Sequence, residues 1–197
     1  LVDDSNGRYT RYIIMPTNLV EAPSIIKTLP VDEVYILDQT NSELTDYPAI
    51  YQNHRKDIYD ALIKGRSKLK KYQKMILIFP GAKEHLEMKI GFEIFCAENN
   101  LDCEIITEFG NREINKGEVF IIPSDRDLVS VIEKSKIQNF KLGTDYRIIS
   151  YNDTSLKKVV ENGITTISTD FDAMGKILAQ MILSEQRDQI ENKCALI

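Results

Sequence analysis

Short apolar runs alternate with stretches of helical periodicity along most of the chain. The apolar runs predict strands at residues 11–15, 31–37, 48–51, 74–79, 102–107, 119–122, 147–151, 164–167 and 193–197. Apolar residues three or four positions apart predict helices at residues 24–29, 54–69, 83–98, 124–137, 156–160 and 171–185. Because strands and helices alternate, the sequence predicts an α/β fold, with a mostly parallel sheet and helices on both faces.

Polar residues follow several of the predicted strands. In open α/β sheets, ligands bind outside the carboxyl ends of the strands, so these residues are the candidates for a binding surface. They are Thr17-Asn18, Asp38-Gln39-Thr40, Gly81-Ala82-Lys83, Ser124-Asp125-Arg126 and Asn152-Asp153-Thr154. The alternative is a structural role, since Asp38, Ser124 and Asn152 are residue types that cap helices.

Composition and charge exclude several classes of protein. The 197 residues are 43% hydrophobic and carry a net charge of −5, which suits a packed core and disfavours nucleic-acid binding by this chain. The basic run from Lys64 to Lys71 is interpreted as the solvated end of a helix. No apolar stretch approaches the roughly 20 residues of a membrane-spanning helix. The sequence opens on Leu1 instead of Met, so a fragment or a processed chain is expected.

Motifs for catalysis, cofactors and metals are not found. Gly175-Lys176 lacks the rest of a phosphate loop, and no dinucleotide fingerprint or nucleophile elbow occurs. His54 and His85 are interpreted as surface residues, and Cys96 and Cys103 as small core residues. Three cysteines form a poor disulfide framework and suit a reducing compartment. We therefore expect neither an enzyme nor a cofactor or metal site.

The last third of the chain resembles the effector-binding domain of the lactose-repressor family, which shares its fold with periplasmic sugar-binding proteins. The resemblance is carried by residues 141–154, 163–167 and 170–175, and earlier by 76–80, 89–92 and 119–127. It spans about Tyr12 to Ile197 and implies a periplasmic-binding-protein type I-like fold with two Rossmann-like lobes. The implied N-terminal lobe comprises residues 1–50 and 168–190 and lacks its first strand–helix–strand. The implied C-terminal lobe comprises residues 51–167 and 191–197.

The resemblance also implies a ligand site in the cleft between the lobes. Carried over one position at a time, the ligand-contacting residues are Asp38, Gln39, Lys89, Ser124, Asp125, Asn152, Asp153 and Phe171. Lys89 stands where many members have an arginine, and Asn152 stands where the family has an acid that clamps ligand hydroxyls. Carboxylates and amides bind hydroxyl groups and an aromatic face packs against sugar C–H groups, although Phe171 could instead be a core residue.

More narrowly, residues 48–53, 79–81 and 123–128 resemble the sensor domain that some Bacteroides-type regulators fuse to a gluconate-repressor-type winged helix. The resemblance implies a cytoplasmic homodimer that binds a small carbohydrate effector and has no membrane partner. DNA would be bound by a separate N-terminal domain outside this chain, and ligand-driven hinge closure would change DNA affinity. The alternatives are a solute-binding protein that delivers a sugar to a transporter and, third, an enzyme on a flavodoxin-like scaffold.

Overall fold

The computed structural model describes residues 2–16, 21–81 and 84–197. The strands within these ranges are Tyr12–Ile14 (β1), Val34–Asp38 (β2), Ala49–Tyr51 (β3), Lys74–Ile78 (β4), Asp102–Ile106 (β5), Glu118–Ile122 (β6), Arg147–Tyr151 (β7), Thr165–Thr169 (β8), Gln189–Glu191 (β9) and Cys194–Leu196 (β10). The α-helices are Val2–Ser5 (α1), Ala22–Ile26 (α2), His54–Leu69 (α3), Leu86–Asn99 (α4), Asp125–Ile137 (α5), Ser155–Val159 (α6) and Phe171–Leu183 (α7). Short 3₁₀ turns at Val31–Glu33 and Val160–Asn162 complete the regular structure.

The chain divides into two compact units. Unit 1 comprises Leu1–Asn53 and Asp170–Lys193, and unit 2 comprises His54–Thr169 and Cys194–Ile197. The chain therefore passes from one unit to the other three times. These crossings lie two or three residues beyond the lobe boundaries expected from the sequence.

Unit 1 is built on a four-stranded sheet in the order β1-β2-β3-β9, in which every neighbouring pair is parallel. Successive side chains of a strand point to opposite faces, so β2 serves two cores. Val34 and Ile36 belong to the core on one face, together with Ile26 from α2. Tyr35 belongs to the core on the other face, together with Leu178 from α7. Unit 1 therefore has a helix on each face of a parallel sheet.

Unit 2 is built on a six-stranded sheet in the order β10-β8-β7-β6-β4-β5. Its strands are parallel except for β10, which runs antiparallel to β8. Val119 and Ile121 of β6 face the core under α3 and α4, while Phe120 faces the core under α5. The predicted α/β class with helices on both faces of parallel sheets is confirmed.

Gly91 sets how closely α3 and α4 approach each other. A Cβ atom at this position would lie 2.3 Å from the Arg55 carbonyl oxygen and 2.6 Å from Ile58 Cγ2. A side chain therefore cannot be accommodated without separating the helices. This contact also fixes the buried face of α4. Helical spacing predicts that Leu86, Ile90, Ile94 and Phe95 face inward, and Phe95 is indeed buried. However, Leu86 is 60% exposed and Ile94 is 37% exposed, while Met88 is buried instead.

The two cysteines predicted to be separate core residues form a disulfide. Cys96 near the end of α4 is bonded to Cys103 in β5, and their Cα atoms are 6.2 Å apart. The bond joins the helix to the strand that follows it across the tight turn at Asn100, which has a left-handed φ of 51°. Both side chains belong to the core beneath α4, as predicted, but the bond between them was not predicted because sequence spacing does not show which cysteines meet in space.

An ion-pair network lies at the start of β6. Arg112 Nη2 is 3.0 Å from Oε1 of Glu118, which is buried, and Arg112 Nη1 is 3.0 Å from Oε1 of Glu104. The Arg112 and Lys74 side chains hold the pKa of Glu104 below its ordinary value. Asn115 donates two further hydrogen bonds to Glu118, from its backbone and its side chain. The buried carboxylate is therefore neutralised by a guanidinium and by neutral donors.

No helix in residues 2–16, 21–81 and 84–197 combines the length and apolar character needed to cross a membrane.

Candidate functional site

Polar side chains gather at the carboxyl ends of the strands in each unit. In unit 1, Asp38 ends β2 in a left-handed conformation with a φ of 75°. Its Oδ1 accepts a hydrogen bond from Nε2 of Gln52, and its backbone oxygen accepts one from the Gln52 N–H at 3.0 Å. Gln39 follows Asp38 and is half-buried. The predicted pair Asp38 and Gln39 therefore lies beside an amide that follows the neighbouring strand.

A second amide–carboxylate pair lies in the same unit. Asn53 Nδ2 donates to Glu191 Oε2 at 2.9 Å, after β3 and at the end of β9 respectively. The next residue, Asn192, is 4% exposed and donates from Nδ2 to the Asp170 carbonyl oxygen at 3.0 Å. Glu191 and Asn192 were missed as site candidates because the sequence did not predict β9.

Phe171 is not a core residue. It is the first residue of α7 and 51% of its surface is exposed. Asp170 caps this helix, with its Oδ1 accepting a hydrogen bond from the Ala173 N–H at 2.9 Å. The cap holds an aromatic ring at the start of the helix, where it is available to a ligand.

In unit 2, the predicted residues after β6 have structural partners. Ser124 caps α5, with its Oγ accepting from the Asp127 N–H at 3.4 Å. Asp125 is exposed and forms an ion pair with Lys157, with 2.8 Å between Asp125 Oδ1 and Lys157 Nζ. Asp127 is buried and accepts a hydrogen bond from the Phe109 N–H at 3.3 Å. The capping alternative thus describes what Ser124 does in this structure.

Lys157 was not among the predicted residues, yet it connects two of the loops. It is 3% exposed, and its Nζ donates to the carbonyl oxygens of Tyr151 and Asn152 as well as pairing with Asp125. This one ammonium joins the turn after β7 to the first turn of α5. A lysine in a short polar helix gives no sequence signal of burial.

The turn after β7 presents Asn152 and Asp153 differently. Asn152 is exposed and has a left-handed φ of 60°, with its backbone N–H donating to the Ile167 carbonyl oxygen at 2.8 Å. Asp153 is half-buried, its carboxylate pairs with Lys158 at 2.9 Å, and its backbone N–H donates to Ser168 Oγ at 2.9 Å. Asn152 therefore carries the amide of this turn that is open to a ligand.

The remaining predicted residue, Lys89, lies in the first turn of α4 and pairs with Glu93 on the same helix at 3.8 Å. The candidates Thr17, Asn18, Ala82 and Lys83 lie outside the described residues.

A group of half-buried titratable side chains lies at the same edge of the unit 2 sheet. Burial raises the pKa of the Tyr151 hydroxyl well above its ordinary value, and the Cys194, Asp57 and Glu84 side chains raise it further. Burial likewise raises the pKa of the Cys194 thiol to about 12 and raises the pKa of Glu84. Tyr151 and Cys194 are therefore neutral near pH 7 and act there as hydrogen-bonding or packing groups.

The two histidines meet at this edge, although the sequence predicted two separate surface residues. The His54 and His85 rings are stacked, with centroids 3.9 Å apart and planes 14° from parallel. Both are half-buried, one at the start of α3 and the other just before α4. Across the described residues, no cluster of three or more histidine, cysteine or acidic side chains is arranged to hold a metal ion.

Four buried side-chain oxygens lack a hydrogen-bond partner among the described residues. One of them, Thr166 Oγ1, lies within β8, and the other three follow or end parallel strands. These three are Thr40 Oγ1 after β2, Asn192 Oδ1 after β9 and the Tyr151 hydroxyl at the end of β7. Buried polar atoms are nearly always hydrogen-bonded in folded proteins. These oxygens therefore mark the carboxyl edges of both sheets as surfaces suited to a ligand with many hydroxyl groups.

The comparison with protein families agrees with this architecture. Residues 68–194 match the model of the periplasmic binding protein-like domain. The match spans more than half of the chain, and the chain belongs to this family.

Solved structures of the same fold include sugar-operon regulators. The trehalose repressor from Escherichia coli has a TM-score of 0.76 and 11% identity, and the match covers 96% of this chain and 78% of that one. A dimeric Lac repressor has a TM-score of 0.71 and 14% identity, covering 95% and 76% of the two chains. The complex of the transcriptional regulator CelR with cellobiose has a TM-score of 0.71 and 10% identity, covering 100% and 67%.

At these identities the likeness concerns the fold, and in that sense the predicted resemblance to lactose-repressor effector domains is confirmed. A comparison with curated proteins finds no match by sequence.

Proposed function

We propose that this chain is the effector-binding domain of a bacterial transcriptional regulator and binds a small sugar or sugar derivative. The periplasmic binding protein-like family and the fold shared with the trehalose and Lac repressors support this assignment. As part of this proposal we assign the protein a non-catalytic role, a cytoplasmic location and a homodimer, the last because one of the similar structures is a dimeric Lac repressor.

The observation that carries the proposal is the set of unpartnered oxygens of Thr40, Tyr151 and Asn192. A sugar hydroxyl both donates and accepts hydrogen bonds, so it can satisfy such oxygens while neighbouring amides bind its other groups. Asn152 offers an exposed amide, and Phe171 offers an exposed aromatic face for sugar C–H groups. We assign Asp38, Gln39, Ser124, Asp125, Asp153 and Lys89 to the same ligand site on the strength of the family resemblance.

In the proposed mechanism, one ligand is held by residues of both units. Such a ligand favours the closed arrangement of the units because it makes its full set of contacts only there. A dimer then transmits the closure to DNA-binding domains outside this chain. No cofactor takes part.

A thermal-shift screen with a panel of sugars and sugar phosphates tests ligand binding. A ligand that binds the folded state raises the melting temperature by mass action, so we expect one member of the panel to raise it in a concentration-dependent way. Asn152→Ala and Phe171→Ala should each abolish that rise. If no sugar or sugar derivative shifts the melting temperature, the carbohydrate assignment is wrong.

Matched controls separate ligand contacts from changes in folding. Asn162 is also an exposed asparagine with a left-handed φ, of 62°, so Asn162→Ala repeats the backbone effect of Asn152→Ala away from the strand ends. Leu183 at the far end of α7 is 86% exposed, and Leu183→Ala serves as the control for Phe171→Ala. Both controls should keep the ligand-induced rise.

Operator binding tests the regulatory part of the proposal. The full-length protein, including whatever domain the upstream coding sequence specifies, is titrated with operator DNA in the absence and presence of the sugar found in the screen. We expect an upstream winged helix and a change in operator affinity. An unchanged affinity at saturating sugar would contradict the switch.

One observation favours a second candidate, a solute-binding protein that delivers sugar to a transporter. The Cys96–Cys103 disulfide is typical of proteins that work in oxidising compartments. This candidate predicts an export signal in the complete gene and a monomer in solution, whereas the regulator predicts a winged helix and a dimer. Sizing the full-length protein and reading the upstream coding sequence distinguish the two.

A further inference from the structure

Unit 2 contains a cavity of ≈ 180 Å³ at the amino ends of β7 and β8. The first residues of these strands, Arg147 and Thr165, line it together with one side of α3. Parallel strands place their carboxyl ends at the opposite edge of the sheet, so this cavity is separate from the polar loops described above. It has no part in the proposed sugar site.

Three cationic side chains line the cavity. Lys64 and Lys68 lie one turn apart on α3, and Arg147 Nη2 donates to Thr165 Oγ1 at 3.1 Å. Within the part of the chain that the structure describes, none of the three is paired with a carboxylate. Like charges four residues apart on a helix repel each other, and a bound anion would reduce that repulsion.

The rest of the lining is apolar. Leu69, Ile149 and Leu196 contribute aliphatic surface, and Gly65 leaves room beside them. A Cβ atom on Gly65 would lie only 3.1 Å from Leu196 Cδ2, so even an alanine would narrow the cavity. Cations and aliphatic surface on one small cavity suit a molecule that has both an anionic group and an apolar body.

We propose that this cavity binds a small organic anion, with a carboxylate or phosphate head and a compact apolar body. Arg147 is the anchor because a guanidinium presents a planar fork of donors that matches either head group. Lys64 and Lys68 add positive charge from α3, and the apolar body packs against Leu69 and Leu196.

Calorimetric titration of the chain with benzoate, phenyl phosphate and uncharged benzamide tests the proposal. We expect saturable binding of benzoate or phenyl phosphate, and at least about tenfold weaker binding of benzamide, since a hydrogen bond to a charged group contributes that much. Inorganic phosphate, which lacks the apolar body, should also bind more weakly than phenyl phosphate. Benzamide binding as tightly as the two anions, or no saturable binding of either anion, would overturn the proposal.

Two variants locate the binding at the cavity. Arg147→Gln and the double variant Lys64→Gln/Lys68→Gln should each weaken binding by about tenfold. The control Lys70→Gln/Arg126→Gln removes the same charge as the double variant from exposed positions outside the cavity and should bind as the unaltered chain does. Lys64 and Lys68 are exposed, so the double variant remains informative if Arg147→Gln fails to fold. Equal affinity in the double variant and its control would contradict the proposal, whatever the sugar screen shows.

Discussion

The two units use polar residues in different ways, although both are parallel sheets flanked by helices. In unit 1, Gln52 donates a hydrogen bond to Asp38, and Asn53 donates one to Glu191. Both pairs lie at the edge of the sheet. In unit 2 the equivalent positions hold the fold together, with Ser124 capping a helix and Lys157 joining two loops. The same residue types after a strand therefore pair with each other in unit 1, and cap a helix or join loops in unit 2.

The units differ in whether they bury charged side chains. Among the described residues, the buried charged side chains are Asp57, Glu118, Asp127 and Lys157, and all belong to unit 2. A buried charge must be paired or hydrogen-bonded, because leaving it unpaired has a large desolvation cost. Removing a partner should therefore destabilise unit 2 strongly and unit 1 little.

The largest effect is expected for Arg112→Ala. It removes the guanidinium from the buried Glu118 carboxylate and should lower the free energy of unfolding by about 3 kcal/mol. Urea unfolding followed by circular dichroism measures the change. Lys116→Ala is the control, since Lys116 is 70% exposed in its pair with Asp145 and such pairs contribute little. Equal losses in the two variants would show that the buried ion-pair network contributes no more to stability than an exposed ion pair does.

Reduction of the Cys96–Cys103 disulfide should have the next largest effect. The bond closes a short loop, and its loss should lower the free energy of unfolding by about 2.5 kcal/mol in the chain-entropy model. The measurement is the melting temperature with and without dithiothreitol. Cys194 forms no disulfide, so Cys194→Ser should respond to the reductant as the unaltered chain does. Cys96→Ser should not respond, and a response there would contradict the assigned pairing.

Lys157→Met tests the contribution of the buried Lys157 ammonium to stability, and we expect a smaller loss than on reduction of the disulfide. The methionine fills similar space but leaves the Tyr151 and Asn152 carbonyl oxygens without their donor, so we expect a loss of about 1.5 kcal/mol. Chemical unfolding of Lys157→Met and of the exposed control Lys158→Met measures it. A loss in the control as large as in Lys157→Met would refute the structural role assigned to burial.

Asp38→Asn in unit 1 is expected to have the smallest effect on stability. Asparagine keeps the shape and an acceptor for Gln52, so the free energy of unfolding should change by less than about 0.5 kcal/mol. The same variant should weaken the ligand-induced rise in melting temperature, since a neutral amide accepts hydrogen bonds from hydroxyls less strongly than a carboxylate does. A destabilisation as large as that of Lys157→Met would remove the contrast between the units.

The sequence located most elements but not always their buried faces. Apolar spacing predicted α5, and residue type offered Ser124 or Asp125 as its cap; in the structure the cap is Ser124. The same method failed for α4, because Ile90 and Ile94 have helical spacing as good as that of Met88 and Phe92. The close contact at Gly91 decided between these faces, and it depends on a second helix.

Some functional candidates had no local signal. The strand Gln189–Glu191 is too short and polar to be predicted, and it forms because it pairs with β3. Asn192 was therefore not predicted as a site candidate, although it is a buried polar residue that directly follows β9. The pairing of Cys96 with Cys103 and the stacking of His54 on His85 likewise depend on how neighbouring elements pack.

The sequence by itself determined the order of most strands and helices, the α/β class and the polar positions that follow the predicted strands. These features depend on periodicity and on residue types within a few positions of each other, which local sterics and hydrophobic burial translate directly into structure. Only the tertiary structure decided which polar groups are paired, which charges are buried and where three cations meet around a cavity. Those outcomes depend on distances between residues far apart in the chain, such as Asp125 and Lys157, and on the water that packing excludes around them.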